Sequence, residues 1–277
     1  MAKTPLSVLT WNINFRDDRA LGPLASLSNL PDVVTLQEVK LSHETLIRRR
    51  LEDLGYAVVF SGDSAATDKR YATMVGARGR LAPTDLSAFG FPWPQLVAHA
   101  TLATPGALVN LVTVHVPNGS GNGWTKIDAL EALRRLVLSL KGEPLVLTGD
   151  FNEPRFEKLQ DGRIVTWGQE QYEGRWLPWT VWTFDAVTDT GDRWDAAVRW
   201  FFEATDESGI RNAFWDAAGH GAMAASHYSA GKPRWFDHVF VSDQFQVKSC
   251  KYLHSFREDG FSDHSALLAS LSYALGE

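Results

Sequence analysis

The chain has 277 residues, 44% hydrophobic and 22% charged, which is ordinary globular composition with length enough for a large core. Its net charge of -6 excludes a bulk-basic nucleic-acid coat, while an acidic site that carries metal ions would itself pull the total down. The lone Cys250 excludes an internal disulfide; with no apolar leader in residues 1–15 and no membrane-length apolar run, a soluble cytoplasmic protein is expected.

Residues 6–11 read as a strand ending in Asn12, Ile13 and Asn14, with Asp17 and Asp18 in the polar turn beyond. Residues 33–37 form a second apolar run, opened by Pro31 and Asp32 and ending in Glu38. Residues 41–54 read as a helix with Ser42 as N-cap, an apolar stripe of Leu46, Ile47, Leu51 and Leu54, and Gly55 as its stop. Residues 56–61 and 71–78 are strands joined by a polar loop. Residues 96–103 and 107–115 make a hairpin around Thr104, Pro105 and Gly106. A Gly/Asn loop over 117–123 leads into a helix over 124–141, with Ile127, Leu130, Leu133, Leu136, Val137 and Leu140 on one face. Residues 145–153 are an aliphatic strand between Pro144 and Pro154 that stops in acidic and amide side chains. Asp150 and Asn152 lie two apart, so an extended backbone points both to one side.

Residues 155–207 hold Trp167, Trp176, Trp179, Trp182, Trp194 and Trp200, more than half of the 11 tryptophans. They read either as core and lid packing or as a stacking platform for bases or sugars. Helices are expected over 195–204 and 210–218, and strands over 236–242 and 264–272. Cys250 is expected to be structural, in a strand or loop. Strands outnumber helices and include hairpins, which fits two sheets packed face to face with helices outside. No linker, repeat or composition break divides the chain, so residues 1–277 are expected to form a single domain.

Glu38, Asp150, Asp237 and Asp263 each sit at the edge of an apolar strand, and Asn12, Asn152, His115 and His264 occupy similar places. Singly, each has a plainer account as a turn, a helix cap or a core histidine. Together at strand ends they describe a site. Crowded carboxylates raise one another's pKa, and a divalent cation offsets that repulsion. Oxygen ligands, with no cysteine cluster and no His pair at zinc spacing, favour Mg²⁺ or Mn²⁺ over Zn²⁺.

Six stretches carry a family resemblance: Thr10-Trp11-Asn12-Ile13, Leu36-Gln37-Glu38-Val39-Lys40, His115-Val116-Pro117-Asn118-Gly119, Gly149-Asp150-Phe151-Asn152, Phe236-Asp237-His238-Val239 and Ser262-Asp263-His264-Ser265. In type and order the chain resembles the endonuclease/exonuclease/phosphatase superfamily. That group includes exonuclease III-like AP endonucleases, DNase I-like nucleases, sphingomyelinases and inositol polyphosphate 5-phosphatases. The resemblance implies a four-layer α/β sandwich, two packed mixed β-sheets flanked by helices, and metal-dependent cleavage of a phosphate ester. It implies Asn12, Glu38 and Asp263 as metal ligands. Asp150 would orient or deprotonate the attacking water, and Asn152 would donate to the phosphoryl oxygen or hold Asp150. His264 would contact the phosphate or act as acid/base, oriented by Asp237. His115, where exonuclease III-like members have Tyr and closer to DNase I-like ones, completes the catalytic set.

Two departures, Arg70-Tyr71-Ala72-Thr73 for a Gly-rich turn and Arg234-Trp235-Phe236-Asp237 at the fourth carboxylate, argue against abasic-site specificity. Lys40, Arg70, Lys126 and Arg234, with Asn118, are expected to form a local basic rim for a polyanionic strand. The leading reading is a monomeric nuclease on DNA or RNA, by metal-assisted in-line attack of water. A small-molecule or lipid phosphodiesterase or phosphatase of the same fold comes second, and a non-catalytic nucleic-acid-binding module third.

Overall fold

A computed structural model of the chain describes residues 3–63, 70–153, 157–158, 164–165, 169–172, 175–178, 190–202, 207–229 and 231–274. Twelve strands build the two main sheets: β1 (Lys3–Asn12), β2 (Val33–Lys40), β3 (Ala57–Phe60), β4 (Tyr71–Ala77), β5 (Arg80–Pro83), β6 (Val97–Thr104), β7 (Ala107–His115), β8 (Leu145–Asp150), β9 (Ile210–Asn212), β10 (Asp237–Ser242), β11 (Phe245–Leu253) and β12 (Ala266–Ala274). The first sheet runs β11-β12-β1-β2-β4-β3 and the second β9-β10-β8-β7-β6-β5. Each is mixed, with one parallel pair, β1 with β2 and β7 with β8, among antiparallel neighbours. The outer layers hold helices α1 (Glu44–Asp53), α2 (Thr125–Ser139) and α3 (Thr190–Phe202), and α4 (Ala213–Ala218) packs on β10 and β11.

Side-chain alternation sorts every strand between layers. On β1, Leu6 and Val8 enter the core between the sheets, while Leu9 and Trp11 pack in the outer core with Ile47 and Leu51 of α1. On β7 and β8, Val109, Leu111 and Val146 face the sheet interface, while Val112, Val114, Leu145 and Leu147 pack under α2 and α3. Toward one end the interface turns polar. Thr35 Oγ1 meets Thr148 Oγ1 across the sheets at 2.8 Å, and Gln37 Nε2 donates to Thr10 Oγ1 at 3.1 Å and to Thr113 Oγ1 at 2.9 Å. The parallel strands end at this polar edge and their antiparallel neighbours β10 and β12 begin there. That directionality gathers the ends of several strands at one place.

Some elements differ from the sequence expectation. Residues 41–43 form a 3₁₀ turn before α1, no side chain caps the helix, and Leu46 stays 47% exposed outside the apolar stripe. The helix expected over 210–218 begins as a strand: Ile210–Asn212 pairs with β10, then the Asn212 side chain caps α4 by accepting from Phe214 N and Trp215 N. Strand β5 went unforeseen, and β11 was expected only as a strand or loop around Cys250. On β11 a bulge between Val247 and Ser249 breaks the alternation that would mark it. Trp194 and Trp200 of α3 are buried, as the packing reading expects. The side chains of Trp167, Trp176, Trp179 and Trp182 fall outside the described residues.

Gly149 sits on β8 one residue before Asp150, with φ 138°, and a Cβ there would lie 1.9 Å from Val114 O. Gly149→Ala is therefore expected to cost about 3 kcal/mol or more in urea unfolding. A midpoint equal to the parent's would contradict this close approach.

Candidate active site

Three adjacent strands of the second sheet deliver His115, Asp150 and Asp237 side by side, since the register pairs His115 with Asp150 and Asp150 with Asp237. From the first sheet, Asn12 Nδ2 donates to Asp150 Oδ2 at 2.9 Å, so both sheets close on one carboxylate. Its other oxygen accepts from Asn152 N at 2.8 Å. Glu38 arrives by a bulge. The β2–β4 register shifts between Leu36 and Val39, Glu38 adopts φ 57°, and Val34, Leu36 and Val39 stay on the helix side. The extra residue turns the Glu38 carboxylate inward, to 3.5 Å from His115 Nε2.

His264 comes from the loop before β12. Its carbonyl accepts from Trp11 Nε1 at 2.9 Å, its N–H donates to Ser262 Oγ at 3.2 Å, and Ser262 Oγ donates to Asn12 O at 2.7 Å. The ring bridges two carboxylates, with Nδ1 at 2.8 Å from Asp237 Oδ2 and Nε2 at 3.8 Å from Asp150 Oδ2. A cavity of about 250 Å³ opens over these groups, walled by Tyr71, His115, Asn118, His227 and Asp263.

Burial sets the electrostatics. It pushes the Asp150 carboxyl up to about 7, with His264 pulling down and Asp237 pushing up. It raises Glu38 as well, against the nearby His115 and His264. Burial also opposes charge on Asp237 and His264, but their mutual attraction wins. Asp237 is held below the ordinary carboxylate range and His264 is pushed up to about 10. Burial lowers His115, leaving it neutral, and raises Tyr71 to about 12.

These residues fit a divalent cation. Glu38, His115 and Asp150 offer ligand atoms within 4.8 Å of one another, and Asn12 adjoins Asp150. Burial raises the carboxyls of Glu38 and Asp150, so their charged forms are costly there without a cation beside them. Asp263 turns instead toward His227 Nδ1 at 3.8 Å and His264 Nε2 at 4.0 Å, and shares no such group with Glu38.

The expected rim divides. Arg70 is exposed, Lys40 and Asn118 are half-buried, and all three lie near the cavity. Lys126 is not on the rim. It is fully buried, with Nζ at 2.7 Å from the buried Glu153 Oε1 and donating to Asn152 O at 2.8 Å. Arg234 is also buried, at 3% exposure. Asn152 holds Asp150 through its backbone, while its amide donates to Val116 O at 2.9 Å. The sequence reading missed His227, whose ring stacks on His264 at 4.4 Å, and Tyr71, whose ring lies 5.5 Å from His115. Tyr71 opens the strand expected over 71–78 but was given no part in the site, and no motif marked His227.

The sequence model of the endonuclease/exonuclease/phosphatase family matches residues 9–264. No curated protein matches the chain. Several solved structures share the fold. The 3′ phosphatase NExo from Neisseria, bound to a product DNA hairpin, is 22% identical over 95% of this chain and 98% of its own, with a TM-score of 0.65. An AP endonuclease from Archaeoglobus fulgidus is 17% identical over 95% and 98%, with a TM-score of 0.66. The human Nocturnin catalytic domain with bound sulfate is 16% identical over 98% and 95%, with a TM-score of 0.64.

Three variants probe the site's supports. Lys126→Met leaves Glu153 buried without its cation and is expected to cost roughly 3–5 kcal/mol in urea unfolding. Lys126→Met with Glu153→Gln is expected to regain much of that loss, and additive losses would show that the pair is uncoupled. His264 stands above its ordinary 6.5, so its pairing stabilises fully below that pH and fades as pH rises through about 10. Asp237→Asn is expected to flatten that alkaline fall and to lower the ring titration seen by NMR. An unchanged titration would reject the pairing.

Proposed function

This chain belongs to the endonuclease/exonuclease/phosphatase family, and we propose that it is a Mg²⁺- or Mn²⁺-dependent nuclease that hydrolyses a phosphodiester bond of DNA or RNA. The observation that carries this reading is the pairing of Asp150 with His264. A carboxylate poised near neutrality and a charged imidazole lie 3.8 Å apart under one small cavity. Hydrolysis of a phosphate ester needs a base for water and a cation facing the phosphoryl oxygens. The Neisseria phosphatase, captured with product DNA, supports a nucleic-acid substrate.

Asp150 takes the proton of the attacking water, and Asn12 Nδ2 and Asn152 N fix its two oxygens. His264 directs Nε2 at the phosphoryl oxygen, and Asp237 behind it keeps the ring charged and oriented. Neutral His115 adds a polar ring beside Glu38. Glu38, with Asn12 and the near oxygen of Asp150, would hold the cation, and Asp263 closes the opposite wall. The bound cation supplies Lewis-acid polarisation of the phosphate. Lys40, Arg70 and Asn118 receive the flanking backbone.

A second reading, a phosphatase or phosphodiesterase on a small or lipid ester, draws on the net charge of -6 and the small cavity. Parallel assays on single-stranded and duplex oligonucleotides and on small phosphate esters separate the two. Turnover confined to the small esters would replace the nuclease. The proposal includes a cytoplasmic monomer, which gel filtration with light scattering checks in its second part.

Chelator is expected to abolish turnover, and Mg²⁺ or Mn²⁺ to restore it. Full turnover in chelator would refute metal dependence. Asp150→Asn is expected to slow the reaction roughly 100- to 10,000-fold. Mg²⁺ is expected to raise the unfolding temperature more at about pH 8 than at about pH 6, because Glu38 and Asp150 must lose their protons to hold it.

A further inference from the structure

Asn14 and Phe15 follow one another with φ of 47° and 59°. The left-handed region is uncommon for any residue with a side chain, and more so for a bulky ring. The turn is held by the site itself. Asn14 N donates to Asn12 Oδ1 at 2.9 Å, Phe15 N to Glu38 O at 3.2 Å, and Arg16 N to Ile13 O at 3.1 Å.

What this strained turn presents is the Phe15 ring, 40% exposed. The ring meets Tyr71 edge-on with centroids 5.0 Å apart, and Tyr71 lies 5.5 Å from the His115 ring. Phe15 therefore stands one ring outward from the cavity that Tyr71 and His115 line. Arg16 and Arg70 in the loops beside it and Lys40 at the end of β2, opposite Tyr71, have no ion pair with a described carboxylate, whereas nearby Arg19 is bound by Asp17. A half-exposed ring held in place by a strained backbone, beside a reaction cavity and three cations with no ion pair to a described carboxylate, has the makings of a ligand contact.

Resting on the nuclease reading, we infer that Phe15 is the stacking platform for an unpaired base next to the scissile phosphate, so the preferred substrate is single-stranded or frayed nucleic acid. An aromatic face accepts any base, while the three cations follow the phosphates. Bases inside an intact duplex have no free face to offer. Stacking at Phe15 therefore selects strands over duplexes.

The test uses the full-length Asp150→Asn variant with Mg²⁺, and measures binding of three probes of equal length. These are a single-stranded deoxyadenosine oligomer, the same phosphodiester strand without bases, and a blunt duplex. The base-bearing strand is expected to bind roughly 10-fold tighter than the base-less one. Adding Phe15→Ala or Phe15→Leu is expected to erase that preference, leave the base-less strand and the duplex unaffected, and so show the fold intact. Phe15→Trp is expected to keep the preference. Equal binding of the base-bearing strand with and without Phe15→Ala overturns the platform while the nuclease reading stands. No binding of any oligonucleotide, with small phosphate esters still cleaved by the parent, overturns both.

Discussion

Asp150 has ligand atoms within 4.8 Å of Glu38 in one cluster and of Asp237 in another, and the active edge is arranged around the water these three carboxylates give up. Charge buried in this way destabilises a fold unless it is paired and hydrogen-bonded. His264 meets part of the demand by standing between Asp237 and Asp150. Asn12 and Asn152 meet another part with N–H donors on both oxygens of Asp150. What is left appears as raised carboxyls on Glu38 and Asp150, where a cation would be most stabilising. The bond that ties Asn12 to Asp150 also crosses from one sheet to the other, so closure of the sandwich and assembly of the site are one event.

Backbone strain follows the same geography. The non-glycine residues with positive φ among the described residues are Asn14, Phe15, Glu38 and Asn152, and all four flank the cavity. Each turns a group that a regular strand would have aimed elsewhere. The strain is held from behind. Lys126 fastens the Asn152 carbonyl and Glu153, and His238 Nε2 lies 2.6 Å from Glu153 O. Tyr252 donates to the Asp237 carbonyl at 2.6 Å. A rigid support of this kind keeps reacting groups in position without reorganisation during the reaction.

Beneath the site the sheet interface grades from aliphatic to hydroxyl to ionisable. Leu6, Val8, Thr10 and Asn12 succeed one another on the inner face of β1, and Val109, Leu111, Thr113 and His115 on β7. On β8 the series is Val146, Thr148 and Asp150. Thr35 bonds Thr148 and Gln37 bonds Thr113 across the interface, so hydroxyl and amide groups beneath the cavity are tied together from both sheets.

Much of this was legible in the order of residues. Period-two alternation is a local property of a strand, so most of the strands, the hairpin of β6 with β7, and the strand-end positions of Asn12, His115, Asp150 and Asp237 could be read directly. The tertiary structure alone decided the rest. Glu38 needed a bulge, whose position depends on pairing with β4. Lys126, beside a Gly/Asn loop, reads as surface until Glu153, 27 residues away, is seen against it. His227 reaches the cavity only through a short hairpin that pairs His227–Ser229 with Lys232–Arg234, and Tyr71 through the pairing of β4 with β2. Local sequence sets which way a side chain points along a strand. Whether a charge is buried, and which distant partner neutralises it, depends on distances and desolvation that exist only after the layers have packed.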